Sequence, residues 1–284
     1  MSTSKEKMAM KHVMLLQDGG SSLPLFIIPG TGGKSNYFLQ LAKLLSDNYK
    51  VFGINLKGTE PREKPQHHVE EIASLLISWV CQIQPHGPYR FISHCFGGNI
   101  AFEMAIQLEK QGESVEFIAI LDGEAGRSPG SIGADFSADA MRLIASYFDS
   151  FDILKPPYPD WVYDLGKELS DLPVDQMMPH ISTILQKRIP SQKDAIRFVT
   201  RLIKVNLHHA QIIYTPLGKT NSELYIFKPE GSDGSRDEEA LGWENNAEKI
   251  TIVQVPGDHD TMMQGESARV IADHLSMRYV TPNT

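Results

Sequence analysis

Tyr89-Arg90-Phe91-Ile92-Ser93-His94-Cys95-Phe96-Gly97-Gly98 runs on into Asn99-Ile100-Ala101-Phe102-Glu103-Met104-Ala105, and this stretch decides the fold. An apolar run passes through a turn of small residues into a segment of helical period. Strand, sharp turn, helix is the setting of a nucleophile elbow, where a strained turn lifts a reactive side chain above a sheet. The usual pattern is Gly-x-Ser-x-Gly. Here Cys95 holds the nucleophile position and Ser93 replaces the first glycine. Small residues are needed two before and two after the nucleophile, because strand and helix backbones nearly touch there. Ser93 and Gly97 both meet that demand. The same letters also suit a buried structural cysteine, since free Cys is among the most buried residue types. The rest of the chain has to choose.

Outward from the elbow, short β-branched or aromatic runs alternate with helix-period segments. Strands are expected over 25–28, 51–55, 90–93, 117–121, 223–228 and 251–255. They read as nearly continuous apolar runs, as parallel strands buried on both faces do. Between them, Tyr37, Phe38, Leu41, Leu44 and Leu45 repeat with helical period, as do Val69, Ile72, Leu76, Val80 and Ile83. Such alternation implies a parallel sheet with helices on both sides. It breaks from Gly123 to Thr215, where helical stretches (Met141, Leu143, Ile144, Phe148; then Ile196, Val199, Leu202, Ile203, Asn206, Leu207) are separated by prolines. The expected organisation is an N-terminal segment 1–22, an α/β core of 23–122 and 216–284, and a helical insertion 123–215. Placed beside the elbow, that insertion suits a lid.

Composition excludes several classes. The chain has 284 residues, 41% hydrophobic and 22% charged, and a net charge of −8. The acidic balance argues against nucleic acid, which selects basic faces. No apolar run approaches the roughly 20 residues of a membrane span. The polar N-terminus, with Lys5, Lys7 and Lys11, lacks the apolar stretch of a secretory signal. Two cysteines, Cys81 and Cys95, make no disulfide framework, which fits a reducing cytoplasm. No metal site is expected.

A cysteine nucleophile needs a base within hydrogen-bond reach and a third group to orient it. In enzymes with this elbow the partners come later in the chain, acid first and histidine last. Of ten histidines, His259 in Val255-Pro256-Gly257-Asp258-His259-Asp260 follows the last expected strand and is the candidate base. His208 and His209 read as helix-face residues, and His94 is expected to point away from the nucleophile. Two acids compete: Asp122, ending the run 117–121, and Asp233, in the acidic loop after 223–228. Strand-end placement favours Asp122. Asp258 and Asp260 flank the histidine too closely to accept its ring proton. Oxyanion donors are expected from the amide of Phe96, after the nucleophile, and of Thr31 in Pro29-Gly30-Thr31-Gly32-Gly33. Gly33-Lys34-Ser35 mimics the end of a phosphate-binding loop, but that motif needs glycine at position 28, which is Ile.

Taken together, 25–33, 84–89, 94–98 with 101–105, Leu121-Asp122 and 256–259 resemble the thioesterase domains that end nonribosomal peptide and polyketide assembly lines. The similarity runs from about Leu23 to the C-terminus and is weakest across the insertion. It implies an α/β-hydrolase fold, a mostly parallel sheet flanked by helices, with an inserted helical lid over an acyl channel. It supports Asp122 as the acid. It further implies an acyl or peptidyl carrier protein as partner, delivering an acyl thioester on its phosphopantetheine arm, with no cofactor held by the chain itself. The chain departs from the family pattern at Cys95, usually Ser, at Ser93, usually Gly, and at Gly123, where Ser often follows the acid. A Cys-dependent acyltransferase of the polyester-synthase type and a catalytically silent binding module are the alternative readings.

Overall fold

The computed structural model describes residues 11–19, 24–126, 157–231 and 239–276, with 141, 144, 145, 148, 154 and 155 between. Seven strands form one sheet: β1 (Val13–Gln17), β2 (Pro24–Ile28), β3 (Lys50–Ile54), β4 (Tyr89–His94), β5 (Val115–Leu121), β6 (Glu223–Pro229) and β7 (Ile250–Val255). The spatial order is β1-β3-β2-β4-β5-β6-β7. All neighbouring pairs are parallel except β1 against β3. The α/β-hydrolase architecture expected from the sequence is therefore present.

Period-two alternation sends each strand's side chains to two cores. On one face Phe26, Ile28, Phe91, Ile118 and Ile120 pack against α2 (Val69–Val80) and α3 (Gly97–Lys110). On the other, Leu25, Ile27, Ile92, Phe117, Ala119 and Leu121 meet α1 (Leu39–Leu44) and the last helix, 265–276. Strand β1 is a finding beyond the six strands expected. Its Leu15 is half exposed, and it joins the sheet edge through a register shift between Leu15 and Gln17. The segment just before it is tied down by Glu63, which accepts from Lys11 and from the buried His12, each at 3.0 Å.

Between β5 and β6 the described residues include three long helices: α4 (Asp160–Ser170), α5 (Val174–Arg188) and α6 (Lys193–Ala210). Met141, Ile144 and Phe148 are helical too, whereas Leu143 lies outside the described residues. These helices share a third core built on Ile144, Phe148, Val162, Leu165, Leu169, Ile181 and Leu185. Helix α6 contributes Ile196, Val199, Ile203, Leu207 and Ala210 to it, the spacing of a single helical stripe. Its other side meets the loop after β3: Arg201 donates to the Thr59 carbonyl at 3.4 Å, and His208 reaches the Gln66 carbonyl at 3.0 Å. The final helix, Gly265–Ser276, is α7.

Candidate active site

Three parallel strands end at the same sheet edge and supply the site. After β4 the chain turns at Cys95 with φ of +54°, a left-handed conformation that L-residues rarely adopt. Main-chain bonds hold the turn: Cys95 N–H donates to Leu121 O (3.0 Å) and Gly98 N–H to Cys95 O (2.9 Å). Tight packing explains the small residues around it. A Cβ at Gly97 would stand 2.6 Å from the Pro29 carbonyl oxygen, so only glycine lets α3 approach the loop after β2. Ser93 is fully buried and directs its hydroxyl to Ala119 O at 3.1 Å, so the unexpected side chain satisfies its polar atom in the sheet.

Asp122 follows β5 with φ of +46°, and its amide donates to Phe227 O at 2.9 Å. Its carboxylate is fully buried and accepts from His259 Nδ1 at 2.6 Å. His259 lies in the loop after β7 with about a third of its side chain exposed. The second hydrogen-bond partner of the imidazole is the Cys95 side chain. Burial works against a charged ring here. The negative charge at Cys95, the hydrogen bonds to Asp122 and Cys95 and the Asp122 charge outweigh it, and the pKa is raised to about 10. Asp258 is occupied otherwise: its Oδ1 accepts from the amides of Asp260 (3.0 Å) and Thr261 (2.9 Å) and from the Thr261 hydroxyl (2.8 Å). It shapes the loop that presents His259. Asp233 lies outside the described residues.

The fold thus unites Cys95, His259 and Asp122, an arrangement able to hold a thiolate beside an imidazolium. A model of the thioesterase domain family matches residues 23–279. The chain belongs to the thioesterase domain family. Indigoidine synthase of Dickeya dadantii is 28% identical over 260 residues, covering 89% of this chain and 17% of that protein. Malpibaldin synthetase of Mortierella alpina is 38% identical over 113 residues, covering 40% of this chain and 2% of that protein. The chain therefore spans a small part of these curated relatives. Among solved structures, the wild-type Vlm2 thioesterase domain superposes with a TM-score of 0.67 at 20% identity, covering 95% and 98% of the two chains. The thioesterase domain that cyclises surfactin gives 0.63 at 15%, covering 97% and 98%. These structural likenesses concern the fold.

Within this thioesterase domain Thr31 lies in the turn after β2 and Phe96 caps the start of α3. A Cβ on Gly30 would fall 3.3 Å from Cys95 Cβ, so that turn runs directly past the nucleophile position. Gly123 borders the site as well: a Cβ there would stand 2.5 Å from the Cys95 carbonyl oxygen, which accounts for glycine where the family often has Ser. The loop beyond it is braced by Asn99, which donates to Glu124 O (2.9 Å) and accepts from Gly126 N–H (2.7 Å), and by Trp243 Nε1, which donates to Gly123 O (2.8 Å).

The buried His94 ring packs on the histidine loop, a contact the sequence did not announce: it lies 4.4 Å from the His259 ring, with Nε2 3.0 Å from the His259 carbonyl oxygen. A carbonyl only accepts, so Nε2 carries the proton. Nδ1 is then left to accept from the Tyr37 hydroxyl at 3.3 Å, while Tyr37 accepts from Gly30 N–H at 3.0 Å. One ordered chain of donors thereby joins the turn after β2, the elbow and the histidine loop. His209 stands on a helix, as its surroundings predict. It is buried on α6, its Nδ1 2.9 Å from Thr31 O. Among the described residues no cluster of His, Cys, Asp and Glu could hold a metal, and no helix is long and apolar enough to cross a membrane.

Proposed function

We propose that this domain releases an acyl or peptidyl chain from the phosphopantetheine thioester of a carrier protein through an acyl group held on Cys95. The observation that carries the reading is His259 bridging Asp122 and Cys95, with Nδ1 2.6 Å from the carboxylate. Family membership supports the release of a thioester-bound chain, and the partial coverage of synthetase relatives fits a domain that works with a carrier.

A free thiol titrates near about 8.5 and reacts as thiolate, so an adjacent imidazolium raises the reactive fraction at neutral pH. The thiolate attacks the thioester carbonyl, and the amides of Thr31 and Phe96 stabilise the oxyanion. The carbon–sulfur bond to the carrier breaks, His259 protonates the departing thiol, and the acyl group rests on Cys95. This step exchanges one thioester for another and is nearly balanced in free energy. A serine would instead drop to the more stable oxygen ester. Retaining a thioester leaves driving force for the second step, in which His259 accepts a proton from water or from a nucleophile on the chain itself. Hydrolysis or cyclisation then follows from what the helical insertion, acting as a lid, admits to the site.

Intact-protein mass spectrometry after brief exposure to a short acyl thioester, beside Cys95→Ala, tests the reading. The expected result is an acyl adduct on the parent protein and none on the variant. A reactive donor that leaves no adduct in a quenched time course, with turnover unaffected by Cys95→Ala, overturns it.

A further inference from the structure

One side chain of the helical insertion touches both residues to which the oxyanion is assigned. Nδ1 of His209, on α6, lies 2.9 Å from Thr31 O, and its ring stacks on Phe96 with centroids 5.7 Å apart and planes 27° apart. Three residues earlier in the same helix, Asn206 Nδ2 donates to Thr31 Oγ1 at 2.7 Å, and Val205 lies against Gly33. Gly33 N–H donates to Gly30 O at 2.9 Å, which fixes the plane of the peptide that carries the Thr31 amide. The peptide bond is planar, so a residue has only two soft dihedrals, one on each side of its Cα. With the preceding plane held by Gly33 and the following one by His209, Thr31 keeps neither free.

From this geometry we infer that His209 is a positioning residue for the oxyanion donors. Helix α6 thus completes the catalytic loop as well as covering it. The inference rests on the roles proposed for Thr31 and Phe96. The imidazole must be present as the Nδ1–H form to donate to a carbonyl, and it sets the Thr31 amide while its face fixes Phe96. Its effect falls on the step in which negative charge develops on oxygen. Formation of the Cys95 thiolate depends on His259 and Asp122 and lies outside its reach.

Two reactions at the same sulfur separate these effects. Alkylation of Cys95 by iodoacetamide needs the thiolate but creates no oxyanion, whereas acylation by a short acyl thioester needs both. The parent protein, His209→Ala, His209→Asn and His209→Phe are compared for both rates by mass spectrometry. Asn keeps an N–H donor and Phe keeps the ring. The alanine variant is expected to acylate about ten- to a hundredfold more slowly, below the loss typical of deleting an oxyanion donor itself. Its alkylation rate should stay at the parental value, and Asn should recover part of the acylation rate. Equal slowing of both reactions marks His209 as a general structural residue and overturns the inference, as does no slowing of either. Should alanine prevent folding, the other two decide: Phe acylating like the parent overturns the hydrogen-bonded role. A parent protein that alkylates at Cys95 but never acylates defeats the release reading itself, a different failure from any seen only in the variants.

Discussion

At the scale of single residues, the site is held by charge and by main-chain strain. The proximity of the negative sulfur is the largest influence raising the His259 pKa to about 10 against burial. Replacing that charge with a neutral hydroxyl should lower it: in Cys95→Ser the imidazole titration followed by NMR is expected to fall clearly below about 10. An unchanged value would mean that Asp122 alone governs the ring. A histidine whose pKa is raised on folding adds stability in full below its unfolded value of about 6.5. That contribution is lost as pH climbs through about 10. The urea midpoint of the parent relative to His259→Gln should accordingly shrink over that interval. Gly123→Ser, which restores the common family letter, would press a Cβ to within 2.5 Å of the Cys95 carbonyl oxygen. A loss of about 1–3 kcal/mol in chemical denaturation is expected, the range for overpacking, with slower acylation because the elbow itself must shift. Cys95, Asp122 and His259, which the fold brings together, were legible because each follows a strand whose run announces it. His94 and His209 were not: their carbonyl partners lie 165 and 178 residues away, and a histidine's sequence surroundings carry no trace of such a bond.

At the scale of elements, the elbow depends on how closely α3 can approach β2. Gly97→Ala would set a methyl against the carbonyls of Pro29 and Ile28, at 2.6 and 2.7 Å. Backbone on both sides cannot give way as a flexible side chain would. Loss of soluble protein, or destabilisation of about 1–3 kcal/mol with acylation abolished, is the expected outcome. Tyr37→Phe removes one hydroxyl from the chain linking Gly30, His94 and the His259 loop. It leaves the Gly30 amide without that partner and should cost about 1 kcal/mol or more in a thermal or urea transition. Strands β2 to β6 could be read from sequence because their runs are mostly apolar and largely buried, and β7 because its run is β-branched although only Val255 is buried. Strand β1 escaped notice for the opposite reason. It is an edge strand with partly exposed Met14 and Leu15, and its pairing with β3 is set by tertiary contact.

At the scale of the whole molecule, three cores divide the labour: two sandwich the sheet and the third belongs to the helices between β5 and β6. Helices with a core of their own open as a unit of their own. Hydrogen exchange should therefore show β2, β4, β5 and β6 as the most protected amides, with α4 and α5 exchanging together at a faster rate; uniform protection would argue for a single cooperative block. The sequence displayed the helical character of that region through its 3.6-residue period, but not that α6 has two buried sides, since the second side carries polar residues whose partners lie in distant loops. The third core has a further consequence. The chain leaves the sheet and returns to it at one spot, where a Cβ on Gly126 would meet Pro216 and the Tyr214 carbonyl oxygen, both at 3.1 Å. A segment whose two ends touch can be exchanged between relatives as a cassette without respacing the host. Any such graft must carry counterparts of Asn206 and His209, so evolution and the protein engineer face the same constraint: the helices are interchangeable only together with their grip on Thr31.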